Sequence, residues 1–443
     1  MKGIKIFSVI ALSALLIVGW VTFAVKNIST VTTAHANVST ADQYVDEGLY
    51  QRAILKYKEA LAEKDSDEIW TKMFNAYELR YQEDANILSD YIADLQSALK
   101  LYPKNIDFIK KLCDLYMVSN DIKSTYQCLN TAIENGVKDD DIIKKAKELK
   151  YSFELDYNTF LEYKSLSDNM YAVYNGDKWG YIDTAGEEVL DYVYSYVSSC
   201  NNEGVRIITN SLGCRLYDES GMVLGIFTFN VTDAGLFTDN LIPVSDGKEY
   251  GYYDSFAKKQ FGGYEYAGSF QNGIAAVKKS GQWTLIDTSG KEKSGKFADI
   301  VVDGNGQYLN GEVMIAATAE NKYQMFDSEG KSINDFTANK MDICTSDGCI
   351  AFEKDGKWGF VDTSGKVVIE PLYDEAKSFS NGLAAVCKDG KWGFINSSNE
   401  VVIDYQFAGA DYFNSNGSCI VRSDAANADD PVMHQLLILN FGV

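Results

Sequence analysis

Histidine is almost missing from this chain. Its 443 residues hold two, His35 and His434. A Ser-His-Asp or Cys-His arrangement would have to use His434, which sits in no recognisable motif and reads as an exposed loop residue just before the last strand. Positive charge is also in short supply. Lys and Arg number 41 against 63 Asp and Glu, a net charge of −22. No basic face is visible, which argues against a nucleic-acid partner. The eight cysteines form no CxxC pair and no zinc spacing. HExxH, the P-loop and a helix-opening GxGxxG are all missing. So is an Asp/Asn-rich calcium loop, Asp139-Asp140-Asp141 reading as a helix start. No catalytic, cofactor-binding or metal-ligating residue is assigned, and the ligand-binding residues are left unknown. A pair of carboxylates at a set separation, as in a glycosidase, is the one catalytic device such a sequence leaves open.

What is present begins with Lys2 and Lys5, followed by the uncharged apolar run Ile6 to Val25. Its length suits a helix crossing hydrocarbon, with the lysines inside and the rest of the chain outside. The expectation is a single-pass anchor over residues 6–25. Ala34-His35-Ala36 offers the alternative of secretion after cleavage near Ala36. Without Lys2, Lys5 and Lys26 the outward part carries about −25 (−22 minus 3), a surface that favours solubility. In an oxidising compartment Cys113 and Cys128 could pair, as could Cys200 with Cys214 and Cys344 with Cys349. Buried free thiols are the equal alternative.

Three segments follow: 1–36 as leader, 37–150 as a helical domain and 151–443 as a β domain. In the second, glycine is rare and apolar residues recur at helical spacing. Ile92, Leu95 and Leu99 form one stripe, and Phe108, Ile109, Leu112 and Leu115 form the next. Pro103 should stop one helix and Asn105 cap the next, while Ser119-Asn120-Asp121 reads as a turn. The pieces at Gly48 and Ala98 resemble the tetratricopeptide repeat. That resemblance implies a helical solenoid whose concave face binds a peptide; the plain alternative is a spacer. Between Leu79 and Asp90 the pattern breaks.

The last 290 or so residues repeat one unit. Trp358-Gly359-Phe360-Val361-Asp362-Thr363-Ser364-Gly365 recurs in variants from Trp179, Trp283 and Trp392, with weaker copies between. The anchors fall at 183, 218, 254, 287, 327, 362, 396 and 440, a mean step of about 37 residues. An upstream phrase accompanies them, clearest at Phe270-Gln271-Asn272-Gly273 and Phe379-Ser380-Asn381-Gly382. Asp389-Gly390, Asp355-Gly356, Asp246-Gly247 and Asn175-Gly176 suit tight hairpins with positive φ at both turn positions. The Trp of each unit should bury its ring, and the next Gly should leave room for the neighbouring strand. Asp-x-x-Gly then fits a turn in which Asp accepts backbone hydrogen bonds. Recurring carboxylates at Asp183, Asp287 and Asp362 are therefore structural.

These residues resemble the WG-repeat family, which implies a repeat β domain of bacterial chains and supplies no catalytic residues. The expected fold is multidomain, α followed by all-β. Its repeat part is a β-propeller of about eight three-stranded units, with an open β-solenoid as the alternative. The final unit lacks its third strand, and 151–157 alternates as a strand that could complete it and close the ring. The alternative is that 151–157 continues the preceding helix. The expected function is non-catalytic: a binding or scaffold protein engaging a protein at the cell envelope. A cell-wall glycan binder is the first alternative and a glycan hydrolase the second. Binding should use loops between strands, with Asp303–Gln307 and Asn427–Pro431 as candidates.

Overall fold

A computed structural model describes residues 31–310, 312–320, 322–423 and 432–441. The apolar run 6–25 lies outside them. Among the described residues no helix is long and apolar enough to cross a membrane. Two compact units meet between Lys150 and Tyr151.

The first unit is all-helical: α1 (31–46), α2 (Tyr50–Glu63), α3 (Asp67–Glu83), α4 (Leu88–Leu101), α5 (Ile106–Val118), α6 (Ile122–Glu134) and α7 (Asp140–Lys150). Side-chain caps start several of them. Ser66, Asn105 and Asp121 accept the backbone N–H three residues on, from Ile69, Phe108 and Ser124. A 3₁₀ turn, Ala85–Ile87, sits between α3 and α4 and accounts for the broken pattern there. Tyr57, Phe74, Tyr91, Leu95 and Phe108 fill the core. Tyr57 donates its hydroxyl to Asp42 of α1 and Tyr77 to Asp94 of α4, tying helix to helix.

The second unit is an eight-bladed β-propeller, eight antiparallel sheets of consecutive strands. Each blade has a two-residue inner strand a, then b and c, and six of the eight add a continuous outer strand d. Blade 7 shows the scheme: Glu375–Ala376, Leu383–Lys388, Lys391–Asn396 and Val401–Phe407. The expected three-stranded unit is therefore corrected to four. Strand a is too short for periodicity and lay hidden in the link after each third strand. Blades 4 and 5 have no continuous strand d; isolated bridges such as Trp283 to Phe297 and Tyr323 to Ala338 stand in for it.

The ring closes as the alternation of 151–157 suggested. α7 stops at Lys150, and Phe153–Phe160 pairs antiparallel with His434–Leu439 as strand d of blade 8. One end of the domain thus completes the sheet begun at the other, which removes two sheet edges. His434 begins that last strand. It is half-buried against Phe160 and Tyr163, so the exposed-loop expectation was wrong.

Local chemistry sets the turns. Asp389-Gly390 and Asp355-Gly356 both have positive φ at both positions, as a two-residue hairpin requires. Asn175-Gly176 and Asp246-Gly247 do not: only the glycines are positive. Those hairpins have four-residue loops in which the Asn175 or Asp246 side chain accepts two backbone N–H groups. Asp362 likewise accepts from Ser364 and Lys366, both at 3.0 Å, as the Asp-x-x-Gly reading required.

The tryptophans divide. Trp283 and Trp392 are buried, whereas Trp179 and Trp358 are half-buried at strand starts, so a fully buried ring in every unit is not what the fold uses. All eight cysteines are free and buried or half-buried.

Candidate binding face of the β domain

Strands a and b are joined on the same face of the ring as strands c and d. The a–b turns surround the central axis there. In blades 1, 3, 4 and 7 they are tight turns whose central residues have positive φ, such as Asp168-Asn169, Asp239-Asn240 and Asn272-Gly273. Blades 2 and 8 use a wider turn: Asn201 and Asn414 each accept two backbone N–H groups through Oδ1.

A belt of side-chain hydrogen bonds runs around the axis. In blades 1, 2, 4, 6 and 7 a side chain at the start of the turn donates to a carbonyl of the following blade. Ser167 donates to Cys200, Asn201 to Phe237 at 2.7 Å, Gln271 to Leu309 at 2.8 Å, Thr345 to Phe379, and Ser380 to Phe413 at 2.8 Å. Thr238 of blade 3 interrupts it: its Oγ1 is out of solvent and has no partner.

The axis itself is filled. Lys164 of blade 1 pairs with Asp233 of blade 3 at 3.2 Å. Tyr412 of blade 8 donates to both carboxylate oxygens of Asp342 in blade 6, each at 2.7 Å. Burial and Asp342 together push the Tyr412 phenol well above its ordinary range. The insert Asp303–Gln307 of blade 5 does more. It is strapped to blade 4 by Ser269, whose Oγ donates to the Asn305 carbonyl at 2.7 Å. It then reaches the opposite blade, where Asn305 Nδ2 donates to the Leu166 carbonyl at 3.0 Å. Gly304 is required there, since a Cβ would lie 1.9 Å from Ser165 Oγ. The insert picked out in the sequence is thus a bar across the propeller's mouth. The other candidate, Asn427–Pro431, lies outside the described residues.

The bar separates two basins that share Leu166 and Asn305. One, of about 340 Å³, lies over blades 5 to 8. The other, of about 1020 Å³, lies over blades 1 to 4. Its walls are the a–b turns, including Asp168, Asn202, Glu203, Asp239, Asn240 and Asn272. Its deepest residues are Leu236, Phe237 and Phe270, all buried. Neither the sequence period nor the Trp-Gly pairs pointed to these residues. The signal that could have found them is the upstream phrase, whose Asn, Asp and Gly positions are these turns.

Asp303 anchors the bar by accepting the N–H of Asn305 at 2.9 Å and of Gln307 at 2.8 Å. Burial pushes its carboxyl above the ordinary range, against the pull of those two donors. A raised carboxyl destabilises the fold when ionised. That penalty is fully present above the folded pKa and disappears as pH falls through it. Asn fills the same turn position at Asn201 and Asn414. Asp303→Asn should therefore raise the melting temperature at neutral pH by about 2–4 °C, with the gain vanishing in acid. Calorimetry of both proteins at several pH values checks this; a drop at neutral pH would contradict it.

No cluster of His, Cys, Asp or Glu that could hold a metal ion occurs among the described residues. Residues 179–205, 262–283, 358–392 and 392–424 match the family described as WG containing repeat. No curated protein matches the chain. Among solved structures, BamB from Moraxella catarrhalis is 12% identical, with 64% of this chain and 99% of that one covered at a TM-score of 0.41. A eukaryotic initiation factor is 11% identical, covering 66% and 89%, at 0.42. PorZ, a surface component of the type-IX secretion system of Porphyromonas gingivalis, is 11% identical, covering 61% and 43%, at 0.33. Likeness at this level carries no argument about what the chain binds.

Proposed function

We propose that this propeller with WG repeats is a non-catalytic binding protein that engages another protein through the face carrying the a–b turns. The reading places it at the cell envelope, held by residues 6–25, with the helical unit serving as a tetratricopeptide-like adaptor. The observation that supports it is the barred axis. A propeller whose mouth is crossed by Asp303–Gln307 offers a shaped, closed surface in place of a passage. The basin over blades 1 to 4 is walled by loop side chains on a rigid ring, the arrangement recognition sites favour. Sugar stacking is less well served. Trp283 and Trp392 are buried, and so are the aromatic rings at the basin floor, Phe237 and Phe270.

Affinity purification of the full chain from its own envelope, against an Asn202→Trp variant that fills the basin, tests the reading. Asn202 is exposed and its φ is not positive, so the fold should tolerate the change. The expected result is a protein partner recovered by the parent and lost from the variant. Identical recovery by both, or recovery of wall glycan alone, would refute a protein-binding face.

A further inference from the structure

We infer that strand d of blade 2, Val223–Phe227, is the contact through which two copies of this chain pair, edge to edge and antiparallel, into a dimer. This goes beyond the reading of the turn-bearing face and uses a different part of the ring.

The first observation is an edge left open. Val223–Phe227 is the last strand of its sheet and pairs with strand c of its own blade, Cys214 to Tyr217. The groups on its far side have no backbone partner among the described residues. Such a row of N–H and C=O groups is a template for another strand unless something blunts it. Every other continuous outer strand carries a charge or a proline: Glu188 in blade 1, Lys259 in blade 3, Pro371 in blade 6, Asp404 in blade 7 and Glu154 in blade 8. The segments that stand in for strand d in blades 4 and 5 carry lysines. Val223–Phe227 has neither device. Its charge-free stretch extends from Ser220 to Thr232, in a chain of which 23% is charged.

The second observation concerns the side chains. Met222, Val223 and Ile226 are all exposed along this edge. The c–d turn of blade 3 lies against the strand, since a Cβ on Gly225 would meet the backbone of Phe256 and Ala257 at 2.5 Å. That turn adds Phe256, 77% exposed, to the same apolar strip. Charge then selects the occupant. The chain carries −22, so two copies repel wherever their acidic surfaces meet. In a two-fold contact each strand faces itself, and Glu188 or Asp404 would be set near its own copy. Val223–Phe227 opposes no like charges and removes apolar side chains of both copies from water. A charged foreign strand would find nothing here to complement it. The edge is complementary to itself.

The test measures the mass of the full chain in mild detergent by sedimentation velocity across a concentration series. The parent should pass from monomer to dimer as concentration rises. The contact holds no charge while the two bodies repel, so added salt should strengthen it. Ile226→Lys, at a position 57% exposed, should raise the dimer dissociation constant by about tenfold or more. Val368→Lys, at an exposed position on the outer strand of blade 6, should pair like the parent. Hydrogen exchange on the parent alone guards against misfolding of the variant. The peptide covering Val223–Phe227 should exchange about tenfold faster in dilute than in concentrated protein, and that covering Val401–Phe407 equally in both. A parent that stays monomeric would overturn the inference. So would a dimer untouched by Ile226→Lys, equal loss in Val368→Lys, pairing weakened by salt, or exchange at Val223–Phe227 that ignores concentration. Protection of that peptide by envelope extract, in a chain that stays monomeric, would assign the edge to a foreign strand and overturn it as well.

Discussion

Phe160→Ala should destabilise the propeller by about 3–5 kcal/mol, the range for a large aromatic removed from a packed core. Phe160 ends the strand that closes the ring, and it is 1% exposed. It belongs to blade 8 by backbone pairing, opposite His434. Its ring packs into a cluster with Tyr171, Val173 and Ile182 of blade 1 and Ile420 and Leu436 of blade 8. One side chain therefore joins the last blade to the first. Its loss leaves a cavity at the seam between those two blades. Tyr157 of the same strand is 90% exposed. Tyr157→Ala should stay within about 0.5 kcal/mol of the parent. Urea titration of the full chain, followed by tryptophan emission, measures both. A Phe160→Ala loss no larger than that of Tyr157→Ala would mean that closure contributes little to stability.

The second large effect is expected at the glycine of the Trp-Gly pair. Gly393→Ala should cost about 3 kcal/mol, near the upper end of the usual range for overpacking. A Cβ at Gly393 would lie 2.6 Å from the carbonyl oxygen of Ile403 and 3.0 Å from the backbone at Asp404 and Tyr405. These are backbone atoms of strand d, which cannot swing aside as a side chain does. The register between strands c and d shifts at this point, between Trp392 and Phe394, bringing the outer strand over the glycine. Gly180 and Gly359 meet the same obstacle at 2.5 Å, from Leu190 and Ile369. The reverse case is informative. Where this position is Thr284 in blade 4 or Gln324 in blade 5, only isolated bridges stand in for strand d, whereas Arg215 in blade 2 and Leu437 in blade 8 keep a paired strand d that lies in a different register, so the cost belongs to blades whose outer strand crosses over the glycine. Gly295→Ala is the control, since a Cβ there meets nothing within 4 Å and φ is not positive. The same urea titration should leave it near the parent. Equal stability of Gly393→Ala and Gly295→Ala would show that the outer strand yields.

The repeat was readable because its marks are local. Asp-x-x-Gly turns, Asp-Gly hairpins and the Trp-Gly pair each impose backbone geometry on residues adjacent in the chain. Strand a left no such mark, because two residues have no period, so four-stranded blades were read as three-stranded. The tryptophans were over-read. A ring at the start of strand c is covered or not according to the blade beside it, as the contrast of Trp392 with Trp358 shows. The insert Asp303–Gln307 was singled out as a candidate binding loop between strands. Its role as a bar was invisible, because its contacts, Ser165 and Leu166, lie on the opposite side of the ring.

From the sequence alone came the eight-fold period, the helical character of what precedes it, the turn chemistry and the alternation that closes the ring. All are consequences of hydrogen bonds and φ preferences within a few residues. Tertiary structure decided which side chains meet around the axis: Lys164 with Asp233, Tyr412 with Asp342, and Asp168, Glu203 and Asp239 about one basin. Those groups are tens of residues apart and converge only because eight units close on a common centre, a condition no single unit encodes.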